Sequence, residues 1–305
     1  MPASTAFIAT QCAVTQFVIG ALKELALIET TRHEQTPSTR HKCIISNNTM
    51  GTAQETDAFR ASFERTYKYA MESPPLSSTV VFAYRLNALA LVGLIWYACE
   101  VVEGVSKGPP AAWTRWLSVA AVGGAVAVIA LTYAVSYYYG HLPGFTDDDY
   151  RLSAAWDRPP ATELATIGLA LSLDLLPLLE LARPAPARLA RVIVACFTVH
   201  GIVTVAATPM SKMRGEHALS TLAFLLMLAA HQGLVVATVP KAIASKALRD
   251  TFLALTYSSF GAIFLVFYAF SFWVRFGELY WLSVAELLAL VVVFAGIVVG
   301  GVGAA

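Results

Sequence analysis

Charged residues make up only 13% of this 305-residue chain, about half the ~25% usual in soluble domains. Its net charge is +1 with no clustered cations, which excludes the basic footprint a nucleic-acid partner requires. The four cysteines, Cys12, Cys43, Cys99 and Cys196, form no CxxC pair and no Cys/His group at zinc spacing, so neither a disulfide framework nor a structural metal is expected. There is no HExxH, no GxSxG and no P-loop, and no cofactor is expected. The last apolar stretch contains no lysine, so a retinal Schiff base has no attachment point there. No DRY-like or NPxxY-like receptor sequence occurs.

Long hydrophobic runs, by contrast, are abundant. Hydrophobic residues are 57% of the chain, and seven apolar stretches follow one another: Thr79–Val102, Leu117–Tyr139, Thr162–Leu181, Val192–Ala207, His217–Val239, Thr251–Trp273 and Tyr280–Gly301. A bilayer core of about 30 Å takes roughly 20 helical residues. The sequence therefore predicts an all-α, polytopic bundle of seven transmembrane helices over residues 79–305. Loops are short, so neighbouring helices run antiparallel. No internal repeat is present, which counts against a transporter of duplicated halves.

Residues 1–78 read as a tail. Ala6–Leu22 is apolar but lacks a basic flank, making it a poor signal peptide and leaving an anchor or interfacial helix as readings. His33–Met50 is polar and unpatterned and is expected to be disordered; translation from Met50 is a further reading. Asp57–Met71 places Phe59, Phe63, Tyr67 and Ala70 on one helical face.

Basic residues set the orientation. Lys107, Arg115, Arg183, Arg188, Arg191, Lys241, Lys246 and Arg249 fall on one side, against Arg151, Arg158, Lys212, Arg214 and Arg275 on the other. The positive-inside rule makes the first side cytoplasmic and the N-terminus lumenal or external. The acidic loop His141–Pro160, with Asp147, Asp148 and Asp149, then lies outside, as does the sequon at Asn47, a glycosylation candidate. The sequon favours the endoplasmic reticulum or another endomembrane in a eukaryotic host.

Ionisable groups at membrane depth are functional candidates, because an unpaired charge there costs several kcal/mol. Glu163 and Asp174 are 11 residues apart, which returns them to within about 20° of one helical face. Pro177 frees a carbonyl close to Asp174. Glu286 sits among Leu, Val and Ala in the last helix, and His200 and His231 lie near mid-depth. Arg85 is the natural counter-ion for one of these acids. Tyr257, Phe260, Phe264 and Phe267 form an aromatic seam, read either as packing or as a wall for a flat apolar ligand.

Deep acids, no metal motif and short loops describe a site that handles a lipid-soluble substrate by protonation, since a carboxyl kept neutral by apolar surroundings is a general acid at pH 7. In size, helix number and isolated acids (Glu163, Asp174 and Glu286) the membrane region resembles the small integral-membrane terpene cyclases of fungal meroterpenoid pathways, the ascofuranone type. The resemblance implies a metal-independent cyclase of secondary metabolism. Asp174, Glu286, Glu163 and His200 are its expected catalytic groups, and Tyr257, Phe260, Phe264 and Phe267 its substrate wall. The expected partners are the lipid bilayer and a hydrophobic prenylated or terpenoid substrate. A heptahelical receptor, or a transporter or channel using the acids as a polar path, stands as the rival reading.

Overall fold

The computed structural model describes residues 77–142, 151–210, 214–276 and 280–304. The run at 6–22, the face at 57–71, Asn47 and Asp147–Asp149 lie outside the described residues. Among the described residues the chain is helical throughout, with no strand. The elements are α1 (Ser78–Val102), a 3₁₀ turn (Ala111–Trp113), α2 (Thr114–Tyr138), α3 (Leu152–Ala155), α4 (Ala161–Leu173), α5 (Leu175–Ala182), α6 (Arg188–Ala207), α7 (Arg214–Thr238), a second 3₁₀ turn (Val239–Ala242), α8 (Lys246–Phe276) and α9 (Tyr280–Gly303). With α4 and α5 taken as one interrupted span, seven helical segments among the described residues are long and apolar enough to cross a membrane. The chain is an integral, multi-pass membrane protein.

The interruption between α4 and α5 has a direct cause. Pro177 has no N–H to give to the Leu173 carbonyl, so the i→i−4 ladder fails one turn before it. Asp174 is the hinge residue that ends α4 and opens α5.

Helix α9 packs on α8 and α2, α2 on α4, and α6 on α1, α4, α5 and α7. In lipid the hydrophobic effect does not draw helices together, so close approach comes from small residues. A Cβ on Gly168 of α4 would lie 2.5 Å from a Val128 methyl of α2. One on Gly124 of α2 would lie 2.6 Å from Ser172 Oγ. These two glycines let α2 and α4 touch along their length. Large apolar side chains point away from the bundle instead: Phe82, Leu89, Trp96, Leu171 and Phe264 are all more than 60% exposed, as a lipid-facing surface requires.

Within the stretch His141–Pro160, residues 151–160 pack against the bundle. Leu152, Ala155 and Trp156 are buried. Trp156 Nε1 donates to Thr132 Oγ1 at 3.1 Å, Ser136 Oγ donates to the Ala155 carbonyl at 2.5 Å, and Thr162 Oγ1 donates to the Trp156 carbonyl at 2.6 Å. Short α3 is thus tucked into one end of the bundle because α2 and α4 supply hydroxyls for its polar groups.

Glu100, whose place near the end of α1 opposes the helix dipole, is held by Trp96 Nε1 at 2.8 Å and Ser106 Oγ at 2.7 Å. Those two donors satisfy it.

Candidate functional site

A cavity lies within the bundle between α3, α4, α6, α7 and α9, with Ile129 of α2, Leu176 of α5 and Val266 of α8 completing its wall. Its walls are apolar: Leu169 and Leu173 from α4, Val199 and Ile202 from α6, Leu225 and Leu228 from α7, Val293 from α9. Trp156, Phe224 and Phe294 add three aromatic rings. Polar groups gather at its ends. Glu286, His217, Ser153 and His231 are all in the lining, and the 14 residues of α7 from His217 to His231, about 21 Å of helix, set the two histidines at opposite ends. The hydroxyls of Thr198 and Thr221, also in the wall, are spent on carbonyls of their own helices.

Glu286 is the one carboxylate in that lining. Its Oε2 accepts the Leu152 amide at 3.0 Å, which ties α9 to α3 and fixes the acid at the cavity end. His217 Nδ1 lies 2.6 Å from the Thr208 carbonyl. A carbonyl only accepts, so Nδ1 carries the proton and Nε2 of the neutral ring is the basic nitrogen. An acid and a base therefore line one apolar chamber.

Asp174 and His200 belong to a second polar site outside that lining. Asn87 Nδ2 donates to Asp174 Oδ1 at 2.8 Å. With its amide nitrogen so engaged, Asn87 presents Oδ1 to His200 Nδ1 at 3.2 Å. His200 Nε2 is then the acceptor for the Tyr84 hydroxyl at 3.0 Å. The hydrogen bonds run in one direction, from Tyr84 through His200 and Asn87 to Asp174, and join α1, the α4–α5 break and α6.

Glu163 joins neither group. It is half-buried in the first turn of α4, where a carboxylate complements the helix dipole. Arg85 is exposed and points out of the bundle. The aromatic seam of α8 does not line the cavity. Tyr257 and Phe264 are 60% and 74% exposed, and Phe260 and Phe267 are half-buried. The buried stripe of α8 is Phe252, Thr256, Ser259, Ile263 and Val266, displaced about 100° around the helix from most of the seam.

A third cluster joins Glu180, which the sequence does not single out, to Arg183, Arg191 and His231. Glu180 of α5, Arg183 just after it and Arg191 of α6 are each 1% exposed or less. Glu180 pairs with Arg183 through Oε1 and with Arg191 Nε through Oε2 at 2.9 Å, and His231 Nε2 lies 3.4 Å from Oε1. Arg191 also donates to the carbonyls of Pro186, Glu180 and Arg183. Both arginines fall between the third and fourth apolar runs; Arg191 is nevertheless inside α6, which starts one turn before its apolar run, and Arg183 caps α5. The available signal was spacing: an acid three residues before one arginine and eleven before another.

No family model, no curated protein and no solved structure matches this chain.

Proposed function

We propose that this chain is an integral-membrane cyclase that folds an isoprenoid chain into rings within the α3–α9 cavity. The observation that carries the reading is that one carboxyl, Glu286, and one histidine, His217, line the same largely apolar, aromatic-lined chamber. Protonated Glu286 gives its proton to a terminal epoxide oxygen or alkene carbon. The C–O or π bond opens, and the electron pair of the next double bond forms the new C–C bond. Positive charge moves along the chain past the faces of Trp156, Phe224 and Phe294, which stabilise it electrostatically. A neighbouring C–H then loses its proton to His217 Nε2, leaving an alkene, and that proton returns to Glu286. Substrate and product are isomers, so no cofactor is consumed. This reading keeps the lumenal N-terminus expected from the positive-inside count, with an endomembrane and secondary metabolism as its setting.

The test is to feed an epoxidised farnesyl-phenol to membranes containing the chain. A product of unchanged mass and new retention time is expected. Recovery of the substrate alone, from protein shown to be folded, counts against the proposal.

One observation favours transport as a second reading, namely the directed hydrogen-bond chain from Tyr84 to Asp174 across three spans. That reading requires proton uptake into proteoliposomes that Asp174→Asn abolishes.

A further inference from the structure

The charged cluster lies directly behind the cavity's far end. His231 lines that end and approaches Glu180, while Ile297, also in the lining, offers its carbonyl to Arg183 Nη2 at 3.4 Å. Two guanidinium groups face a single carboxylate here. Among the described residues one unit of positive charge is thus left over, and every member of the group is almost wholly buried. Its donors are also not fully used. Arg183 Nε is buried without a hydrogen-bond partner among the described residues, while His231 Nε2 faces Glu180 Oε1 at 3.4 Å. An uncompensated buried charge costs several kcal/mol unless an opposite charge approaches it, and the cavity is the route by which one can.

We infer that the His231 end of the cavity is a recognition subsite for the anionic head of a chain-shaped ligand, a long-chain carboxylate. The apolar walls take the chain, His231 contacts the head, and the excess charge of Arg183 and Arg191 draws it to that end. Eleven residues of α9 separate Glu286 from Ile297, or about 16 Å at 1.5 Å per residue. The head therefore rests against His231 while the far tip of the chain reaches Glu286. This deepens the cyclase reading by naming the polar end of its substrate and fixing which end meets the acid.

The experiment uses the full chain in detergent and tritiated palmitate as the probe, with hexadecanol and hexadecyltrimethylammonium as competitors. Palmitate is expected to bind at least about tenfold more tightly than either competitor, the worth of one charge-assisted contact. His231→Leu is expected to erase that preference while leaving hexadecanol affinity within about twofold. Equal competition by hexadecanol overturns the inference, as does palmitate binding that ignores His231→Leu. A second measurement needs no variant: a C16 carboxylate with a diazirine beside its head should label the peptides bearing His231 or Ile297. Labelling at Leu152–Trp156 or around Glu286 overturns the orientation. Neither measurement depends on turnover. Carboxylate binding without any cyclised product would sink the cyclase alone, and cyclisation of neutral prenyl-phenols without preference for acids would sink the subsite alone.

Discussion

Asn87 of the first span holds Asp174 of the third, its side-chain amide donating to Oδ1 at 2.8 Å where Pro177 has opened the helix. The polar residue of α1 and the break in α4–α5 belong to one device. A carboxyl at the hinge gains a donor from α1 and in return anchors α1 to the bundle.

Asn87→Leu removes that donor and the acceptor that orients His200. A stability loss of about 1–3 kcal/mol is expected, with Asp174→Asn costing less because an Asn carbonyl still accepts from Asn87. Thermal unfolding of the two variants in detergent checks the order.

Pro177→Ala restores a donor to the Leu173 carbonyl and lets α4 run on into α5. The expected outcome is a straightened helix that draws Asp174 away from Asn87 and Glu180 away from Arg191. Stability should therefore fall in spite of the hydrogen bond gained. A rise in melting temperature contradicts this.

Glu180→Leu leaves two buried guanidinium groups without their carboxylate. Breaking a buried pair in this way costs about 3–5 kcal/mol, whereas replacing the whole group with apolar residues is often neutral. The triple variant Glu180→Leu, Arg183→Met, Arg191→Met is accordingly expected to be more stable than Glu180→Leu alone. Denaturation midpoints measured side by side give the answer.

Phe264→Ala removes a lipid-facing ring and is expected to shift stability by less than about 0.5 kcal/mol. Phe294→Ala removes a half-buried ring from the cavity wall and is expected to cost about 1–3 kcal/mol. Equal losses from the two would mean that the seam of α8 packs inward after all.

Apolar run length made the seven spans legible to within about one turn, because crossing lipid imposes that length on any sequence. Pro177 marked the helix break for an equally local reason. What escaped the sequence reading depends on which way a side chain points and what it meets. The seam of α8 was visible as a period, yet a period does not say which stripe faces the bundle. Glu180, Arg183 and Arg191 looked like the charged ends of two spans. Only the packing of α5 against α6 turns them inward onto one another. Leu152 and Trp156 were hidden in a loop with many acids, and their burial rests on hydroxyls contributed by α2 and α4. Of the expected acids, Glu286 lines the cavity, Asp174 and His200 share a separate network, and Glu163 stands at a helix start.

The most direct test of the central claim is turnover of an epoxidised prenyl-phenol by Glu286→Gln and Asp174→Asn, assayed beside the unaltered chain. If Glu286 is the acid in the cavity, Glu286→Gln loses at least about a hundredfold, the usual worth of general acid catalysis. Asp174→Asn, acting only through the helix break, then loses less than about tenfold. The opposite ranking, or full turnover in Glu286→Gln, would contradict the account and move the chemistry out of the cavity.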